Sequence, residues 1–359
     1  MTPPASDIER GAANLLENCA GTSPGDRLLL VHEPVELDYY DPAMVEAVAR
    51  RGRAIGADVR LVEAPFDPDA SGLPETLRAE LLAADQTVFL ARIGDQIRFS
   101  DIGRNRRVVV SYALSRAMLA CDFGIADYDG FDALKRAIDR MLAQSGTIDV
   151  TCPAGTAFRG RAQTTLGNGD VSIRRFPMLV FTPVLADGFA GRVAMPGFLV
   201  GTGSKYYQPY AREFEGPVIA RFEGRRIVGF DGAAEDVRRA EAHYRFVAEK
   251  YGIDAGFVHS WHAGMHPGSR YDMPAAANYE RWSGAAFGNP RLLHVHTCGA
   301  YAPGEISWNV IDPTIAVDGV AVWERGVLYA ERIPGGSALM DRHPDLKTVF
   351  EHPSRDIGL

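Results

Sequence analysis

The chain has 359 residues, of which 46% are hydrophobic and 23% charged, with a formal net charge of −8. These values are ordinary for a globular protein, and the length favours two domains. The acidic balance argues against nucleic acid and against an anionic membrane surface as the main partner.

The first 146 residues alternate between strand and helix patterns. Strands are predicted at residues 27–32, 59–62, 87–91 and 108–111, and helices at 42–56, 74–84 and 131–143. Asp41-Pro42 is a good helix start, because a capping side chain precedes a proline at the first helical position. Strands separated by helices of this length predict a parallel sheet with helices on its faces. Neither GxGxxG after the first strand nor GxxxxGK[ST] occurs, which argues against a nucleotide-binding role.

From residue 147 onwards, short strands are broken by glycine and proline. The clearest are predicted at residues 148–152, 178–182, 216–222 and 226–230, the last two forming a hairpin through Glu223-Gly224-Arg225. A charged amphipathic helix follows at residues 233–250. We therefore predict an α/β scaffold domain at 1–146 and a mostly antiparallel α+β domain, carrying the active site, at 147–359.

Several features indicate a soluble cytoplasmic protein. No run of about 18 apolar residues predicts a transmembrane helix, and the N-terminus lacks the basic-then-apolar order of a signal peptide. The four cysteines are scattered without a CxxC pair, as is typical of reduced thiols.

Five of the nine histidines lie at positions 259, 262, 266, 294 and 296. Imidazole is a common transition-metal ligand, and a site needs several ligands close together. His294 and His296 lie two apart in a predicted strand at 292–297, so their side chains face the same side. His262 and His266 have helical spacing, but Gly264 and Pro267 favour a loop after a strand. The cluster predicts a metal site with these four histidines as candidate ligands, while a structural role stays open for each one.

Glu305 lies nine residues after His296 and begins a polar stripe. In a strand, Glu305, Ser307 and Asn309 would face one side and Trp308 the other. Such a stripe suits the lining of a pocket, and a solvent-facing strand edge is the alternative. The absence of a G-x-S-x-G sequence argues against a serine hydrolase.

Between about residues 145 and 328, the order of these motifs resembles the thermophilic aminopeptidase T family and its relative, the ring-cleaving 2,5-dihydroxypyridine dioxygenase. The matching segments are IDVTCPAGTAF at 148–158, FEGRRIV at 222–228, His262-Ala263-Gly264, and IAVDG at 315–319. The N-terminal half fits by pattern only. At the position of His262 the aminopeptidases carry a glutamate and the dioxygenase an iron-binding histidine, so the resemblance implies that His262 is a ligand.

The chain departs from this family at a second ligand position. Both branches carry an H-x-D pair shortly before the D-G turn, whereas this chain has Ser307-Trp308-Asn309, or Glu305-Ile306-Ser307 if no gap is allowed. A hydroxyl and an amide bind transition metals far less well than imidazole and carboxylate. We expect the site to be rebuilt around His294, His296 and Glu305, and loss of the metal is the alternative.

Three functions follow from this resemblance. The first is a mononuclear metal-dependent enzyme resembling the ring-cleaving dioxygenase, with Fe(II) favoured over Zn(II) or Co(II), acting on a small polar aromatic or heterocyclic substrate. The second is an aminopeptidase-type metallohydrolase with Glu305 or another carboxylate as general base. The third is a metal-free homologue acting as a binding or assembly protein in a biosynthetic pathway.

The remaining predictions concern the pocket and the assembly. The candidate catalytic residues are Glu305, His259 and Tyr301. The candidate substrate-pocket residues are Thr156, Trp261, Ser307, Trp308 and Asn309. We expect residues before 147 to supply at most one wall of the pocket. The resemblance also implies a homodimer.

Overall fold

The chain folds into three β-sheets flanked by helices. A computed structural model describes residues 4–69, 72–98, 107–162, 173–202 and 206–359. In chain order, the strands of this part are β1 (Arg27–His32), β2 (Asp58–Glu63), β3 (Gln86–Leu90), β4 (Arg107–Ser111), β5 (Ile148–Thr151), β6 (Ala157–Gly160), β7 (Arg174–Phe176), β8 (Val184–Leu185), β9 (Phe189–Met195), β10 (Phe198–Gly201), β11 (Ala211–Glu213), β12 (Val218–Glu223), β13 (Arg226–Asp231), β14 (Val258–Ala263), β15 (Leu292–Thr297), β16 (Ile306–Ile311), β17 (Thr314–Val317), β18 (Val320–Glu324) and β19 (Val327–Leu328).

Helices cover the faces of the sheets and connect them. In chain order, the α-helices of the described residues are α1 (Ala5–Ala13), α2 (Pro42–Ile55), α3 (Glu75–Ala83), α4 (Ile93–Gln96), α5 (Arg116–Leu119), α6 (Asp122–Ile125), α7 (Tyr128–Gln144), α8 (Ala234–Tyr251), α9 (Tyr279–Ala286), α10 (Gly336–Arg342) and α11 (Pro344–Glu351). Among the described residues, none of these helices is both long enough and apolar enough to cross a membrane.

The first sheet is parallel, as the alternation of strands and helices predicts. Its order is β2-β1-β3-β4-β7, and every neighbouring pair is parallel. Strand β7 comes from beyond residue 147 and pairs with β4, so the two halves of the sequence interleave at this edge. The division of the chain into domains at residue 147 stays a prediction.

The other two sheets are antiparallel, which confirms the predicted fold class. One has the order β11-β10-β16-β15-β14-β8, and the other β13-β12-β9-β6-β5-β17-β18-β19. The predicted hairpin is β12 with β13, and Gly224 adopts a positive φ of 53° at its turn. Strands β14, β15 and β16 are neighbours in the six-stranded sheet, and they carry most of the residues predicted to form the site.

Local signals fix several helix ends where the sequence predicts them. The Asp41 side chain accepts a hydrogen bond from the Ala43 backbone N–H, and Pro42 is the first residue of α2. The helix ends at Gly56, whose φ of 93° costs glycine little. Helix α8 ends in the same way at Gly252, with a φ of 65°.

Two predictions of secondary structure are wrong. Residues 178–182 form no strand but an extended segment with a single bridge, from Val180 to Gly264. Conversely, the sequence predicts His262 in a loop that follows a strand, but it lies within strand β14, which continues to Ala263 and ends before Gly264. Residues 178–182 are almost all apolar, and such a run lacks the alternation that would distinguish a strand paired in a sheet from a buried extended segment.

Candidate metal centre

Three histidines converge on one face of the six-stranded sheet. His262 of β14 lies directly opposite His294 of β15. His296 is two residues further along β15, so its side chain points to the same side as that of His294. The ligand atoms of these three residues all lie within 4.8 Å of one another, and together they could hold a metal ion.

The outer ring nitrogens of two of these histidines are held by fixed acceptors. His262 Nδ1 lies 3.0 Å from the backbone carbonyl oxygen of Phe181, so it donates a proton to that oxygen. His296 Nδ1 lies 2.8 Å from Glu305 Oε1 and donates to it in the same way. In the neutral ring, these bonds leave Nε2 of each histidine unprotonated and directed inward.

The inner nitrogens lie close enough together to share a cation or a proton. His262 Nε2 lies 3.1 Å from His296 Nε2 and 2.6 Å from His294 Nε2. The Nε2 atoms of His262 and His296 are both unprotonated in the neutral rings, so their lone pairs face and repel each other. Metal–nitrogen bonds of about 2.0–2.1 Å would relieve this repulsion by placing a cation between the lone pairs. The donor set therefore fits a divalent transition metal.

Burial keeps the ligand histidines in the form that binds metals. The pKa values of His262 and His294 lie well below the ordinary value, first because burial penalises the charged ring and second because neighbouring imidazoles repel a further charge. A neutral imidazole is the form that coordinates a metal. The His294 ring also stacks on Phe287, with the ring centroids 4.2 Å apart, so an aromatic wall fixes its plane.

Glu305 is bound too tightly to act as a free base. Besides His296, its carboxylate accepts a hydrogen bond from Thr202 Oγ1 at 2.5 Å and lies 3.6 Å from the Arg98 guanidinium. Burial would raise the pKa of Glu305, but His296, Arg98 and Thr202 together lower it to about 2. A carboxylate with so low a pKa is a weak proton acceptor. Glu305 is therefore placed to orient His296, and the sequence-based prediction of a general base is not supported by this geometry.

The carbonyl that orients His262 is itself anchored from helix α7. Asp139 accepts hydrogen bonds from the backbone N–H and the hydroxyl of Thr182, both at 2.9 Å. Lys135, one turn earlier, donates to Asp139 at 3.0 Å and to Thr182 at 2.8 Å. Since Phe181 precedes Thr182, these contacts fix the peptide that holds the His262 ring. Lys135 and Asp139, both from the first half of the chain, thus support the site through this peptide.

A cavity opens onto the three histidines. Besides the triad and Glu305, it is lined by polar and apolar side chains. Those among the described residues are Asp95, Arg98, Tyr112, Arg175, Leu179, Val180, Pro183, Thr202, Ser283, Gly284 and Phe287. Of these described lining residues, Asp95, Arg98 and Tyr112 come from the first 146 residues, and the division of the pocket between the two halves stays a prediction.

Ser307 and Asn309 lie beside the triad without lining the cavity. On β16 they pair with His296 and His294 respectively, so they share the face of the sheet that carries the histidines. Both are fully buried, and Ser307 Oγ donates to Asn309 Oδ1 at 3.0 Å. The positions that match the H-x-D pair therefore lie one strand away from the histidine pair of β15. This placement agrees with a site rebuilt on the neighbouring strand.

His266 does not join the other three histidines. Its ring stacks on Phe131, with centroids 3.9 Å apart, and meets the edge of Phe123. Its Nδ1 accepts a hydrogen bond from the Gly268 backbone N–H. The chain leaves β14 at Ala263, so the i, i+4 spacing from His262 brings no convergence. His266 is a core residue in this arrangement, and its prediction as a ligand is not supported.

His266 should make the fold sensitive to acid. Burial lowers the pKa of His266 to about 3, below the value of about 6.5 expected in the unfolded chain. The unfolded state therefore takes up a proton below pH 6.5 while the folded state does not, and the free energy of unfolding falls as the pH falls. His266→Phe should reduce this slope by about 1.4 kcal/mol per pH unit near pH 5. Urea unfolding of the metal-free protein at pH 7, 6 and 5 measures the slope, and an unchanged slope would contradict this role.

His259 and Tyr301 form a separate pair away from the cavity. Their rings meet edge-to-face with centroids 5.0 Å apart, and His259 Nδ1 lies 2.9 Å from Ser260 Oγ. Tyr301 is 42% exposed. Neither residue lines the cavity, so the geometry does not support their prediction as catalytic residues.

Three of the predicted pocket residues belong to the core. Trp261 packs against Phe158, Phe181 and Phe189, because it alternates with His262 along β14 and points to the opposite side. Trp308 is fully buried and packs near Phe222. Thr156 is buried and accepts a hydrogen bond from the Ala194 backbone N–H. None of the three lines the cavity, so this geometry does not support their prediction as pocket residues.

Comparisons with known proteins bear on the fold. No protein-family model matches the chain, and no curated protein matches it. Among solved structures, the chain is similar to 2,5-dihydroxypyridine dioxygenase from Pseudomonas putida KT2440, with a TM-score of 0.62 and 16% identity over 91% of this chain and 98% of that one. It is also similar to wild-type AmpT from Thermus thermophilus, with a TM-score of 0.49 and 12% identity over 89% of this chain and 98% of that one. The first similarity shows a common fold over nearly the whole of both chains, which is a distant structural relationship.

Proposed function

We propose that this protein is a mononuclear metalloenzyme in which His262, His294 and His296 hold one divalent transition metal. The observation that carries the proposal is the convergence of three inner ring nitrogens, with two outer nitrogens already bonded to Phe181 and Glu305. Outer partners of this kind are typical of metal-binding histidines, since they set the tautomer and the ring orientation. We favour Fe(II), with Zn(II) or Co(II) as alternatives.

The reaction we propose is ring cleavage of a small polar aromatic or heterocyclic substrate by dioxygen. Fe(II) on three protein ligands would supply open coordination positions for an electron-rich ring and dioxygen. The chain's own residues hold the ligand rings in place, and Leu179, Pro183 and Phe287 offer apolar walls that limit water. The fold shared with 2,5-dihydroxypyridine dioxygenase supports this choice.

The size of the cavity also supports a small substrate. Its volume is about 90 Å³, whereas pockets for drug-sized ligands are about 300–1,000 Å³. A single ring suits such a space better than a peptide does.

A metallohydrolase of the aminopeptidase type is the second candidate. Two closely spaced metals would need bridging carboxylates, but the one group of candidate ligands found within the described ranges consists of imidazoles alone. The nearest carboxylate, Glu305, bonds to the outer nitrogen of His296 and not to the inner side of the triad. This arrangement favours the mononuclear enzyme. A metal-free binding or assembly protein is the third candidate, and metal analysis tests it.

Oxygen uptake distinguishes the two enzymatic candidates. The protein is loaded anaerobically with Fe(II), then mixed with air-saturated buffer and a panel of hydroxylated pyridines and hydroxybenzoates. We expect uptake of one dioxygen per ring consumed, and none with His262→Ala. The Zn(II)- and Co(II)-loaded forms are tested with leucine p-nitroanilide in parallel. Peptide-bond hydrolysis without oxygen uptake would contradict the dioxygenase and favour the hydrolase.

A further inference from the structure

Arg175 brings a positive charge into the cavity of the three histidines. Arg174 and Arg175 are consecutive in β7, and both line a second pocket beside α7. Arg174 is exposed, and its guanidinium donates to the Cys19 backbone carbonyl, whereas Arg175 lines the cavity.

The carboxylates in the same cavity are already engaged by other groups. Asp95 accepts hydrogen bonds from Tyr112 at 2.5 Å and from Arg98 at 2.7 Å. Glu305 bonds to His296 and Thr202, and Arg98 lies 3.6 Å away. Among the described lining residues, the two arginines balance these two carboxylates in number. A divalent metal on the neutral triad would therefore leave the cavity with a positive charge, and an anionic ligand would neutralise it.

The ligand that best fits these features carries both a ring and an acidic group. A guanidinium has five N–H donors in a planar fork, which allows it to hold a carboxylate by two parallel hydrogen bonds while keeping a contact with the protein. The apolar side chains of Leu179, Pro183 and Phe287 line the same cavity and suit the faces of a ring.

We propose that the substrate is a small aromatic or heterocyclic acid, and that Arg175 binds its carboxylate. This inference rests on the proposed function and adds the chemical class of its substrate. It also sets the site apart from an aminopeptidase, whose substrate presents a cationic amino terminus. Arg175 is thus the residue that determines specificity for charge, while the triad holds the metal.

Matched probes of equal shape test this inference. Zn(II)-loaded protein, which cannot turn over with dioxygen, is titrated calorimetrically with 4-hydroxybenzoate and with 4-hydroxybenzamide. We expect the acid to bind at least about tenfold more tightly than the amide, as a charge-assisted hydrogen bond predicts. Arg175→Gln should bring the two affinities to within about threefold of each other, whereas Arg175→Lys should keep part of the preference. Arg174→Gln is the matched control, because Arg174 does not line the cavity of the three histidines, and it should retain the full preference.

The outcomes separate this inference from the function on which it rests. Metal content and circular dichroism are measured on each sample. One Zn(II) per chain combined with equal affinity for acid and amide would overturn the acidic substrate and leave the metal centre standing. If the Arg175→Gln variant is folded and still binds the acid more tightly than the amide, the proposed role of Arg175 is overturned as well. A wild-type chain that takes up no metal would overturn both proposals.

Discussion

Replacing His262 by alanine is expected to abolish metal binding. His262 is the central ligand of the triad, because its Nε2 lies 2.6 Å from that of His294 and 3.1 Å from that of His296. Without His262, two protein ligands of the triad remain, whereas a catalytic metal site typically has three. We expect the affinity for Fe(II) or Zn(II) to fall by more than about 100-fold, as measured by competition with a chelating dye.

A matched control for this variant lies on the same strand. His259 of β14 is 6% exposed and His262 is 5% exposed, but His259 does not line the cavity. His259→Ala should therefore retain metal affinity at a similar cost in stability. If both variants bind metal as the wild type does, or if both lose it, the assignment of His262 as a ligand is contradicted.

The variant Glu305→Gln should weaken metal binding by about 10- to 100-fold, the range known for residues that orient metal ligands. The amide keeps the shape of the side chain but removes the negative charge that strengthens the hydrogen bond from His296 Nδ1. It can still accept a bond from His296, so we expect the metal to be retained at high concentration. The dissociation constant for Zn(II), measured at pH 7 for the wild type and the variant, gives the size of the effect.

Asp95→Asn separates this orienting role from a general effect of charge. Asp95 lines the same cavity and contacts Arg98, as Glu305 does, and its carboxylate accepts hydrogen bonds from Tyr112 and Arg98. We expect its removal to change metal affinity much less than Glu305→Gln does. An equal loss in both variants would mean that the summed negative charge, and not the bond to His296, supports the metal.

The strand carrying His294 and His296 could be predicted because the signal is local. A period of two within residues 292–297 is enough to place both side chains on one side, and the structure has β15 over the same residues. The same rule could have excluded Trp261 and Trp308, since each is adjacent to a residue that faces the triad. The alternation already places Trp308 on the side opposite to Ser307, but both tryptophans are predicted as pocket residues because they lie near the histidines in the sequence, and neither lines the cavity.

Other parts of the site depend on contacts between segments far apart in the chain. The Phe181 carbonyl accepts the hydrogen bond from His262 although the two residues are 81 positions apart in the sequence. Because every residue has a backbone oxygen, the residue type at position 181 does not indicate this role. Thr202 and Glu305 are 103 positions apart. Arg175 reaches the cavity from β7, which joins the parallel sheet beside β4. No composition or periodicity within a window of the sequence carries such information.

We propose that three histidines from two neighbouring strands form one metal site. The most direct test is the ratio of iron to protein after anaerobic loading with Fe(II) and removal of loosely bound metal. We expect about one iron per chain for the wild type and for His266→Phe, and almost none for the combined variant His262→Ala, His294→Ala, His296→Ala. A wild type without iron, or a folded combined variant with as much iron as the wild type, would contradict the account.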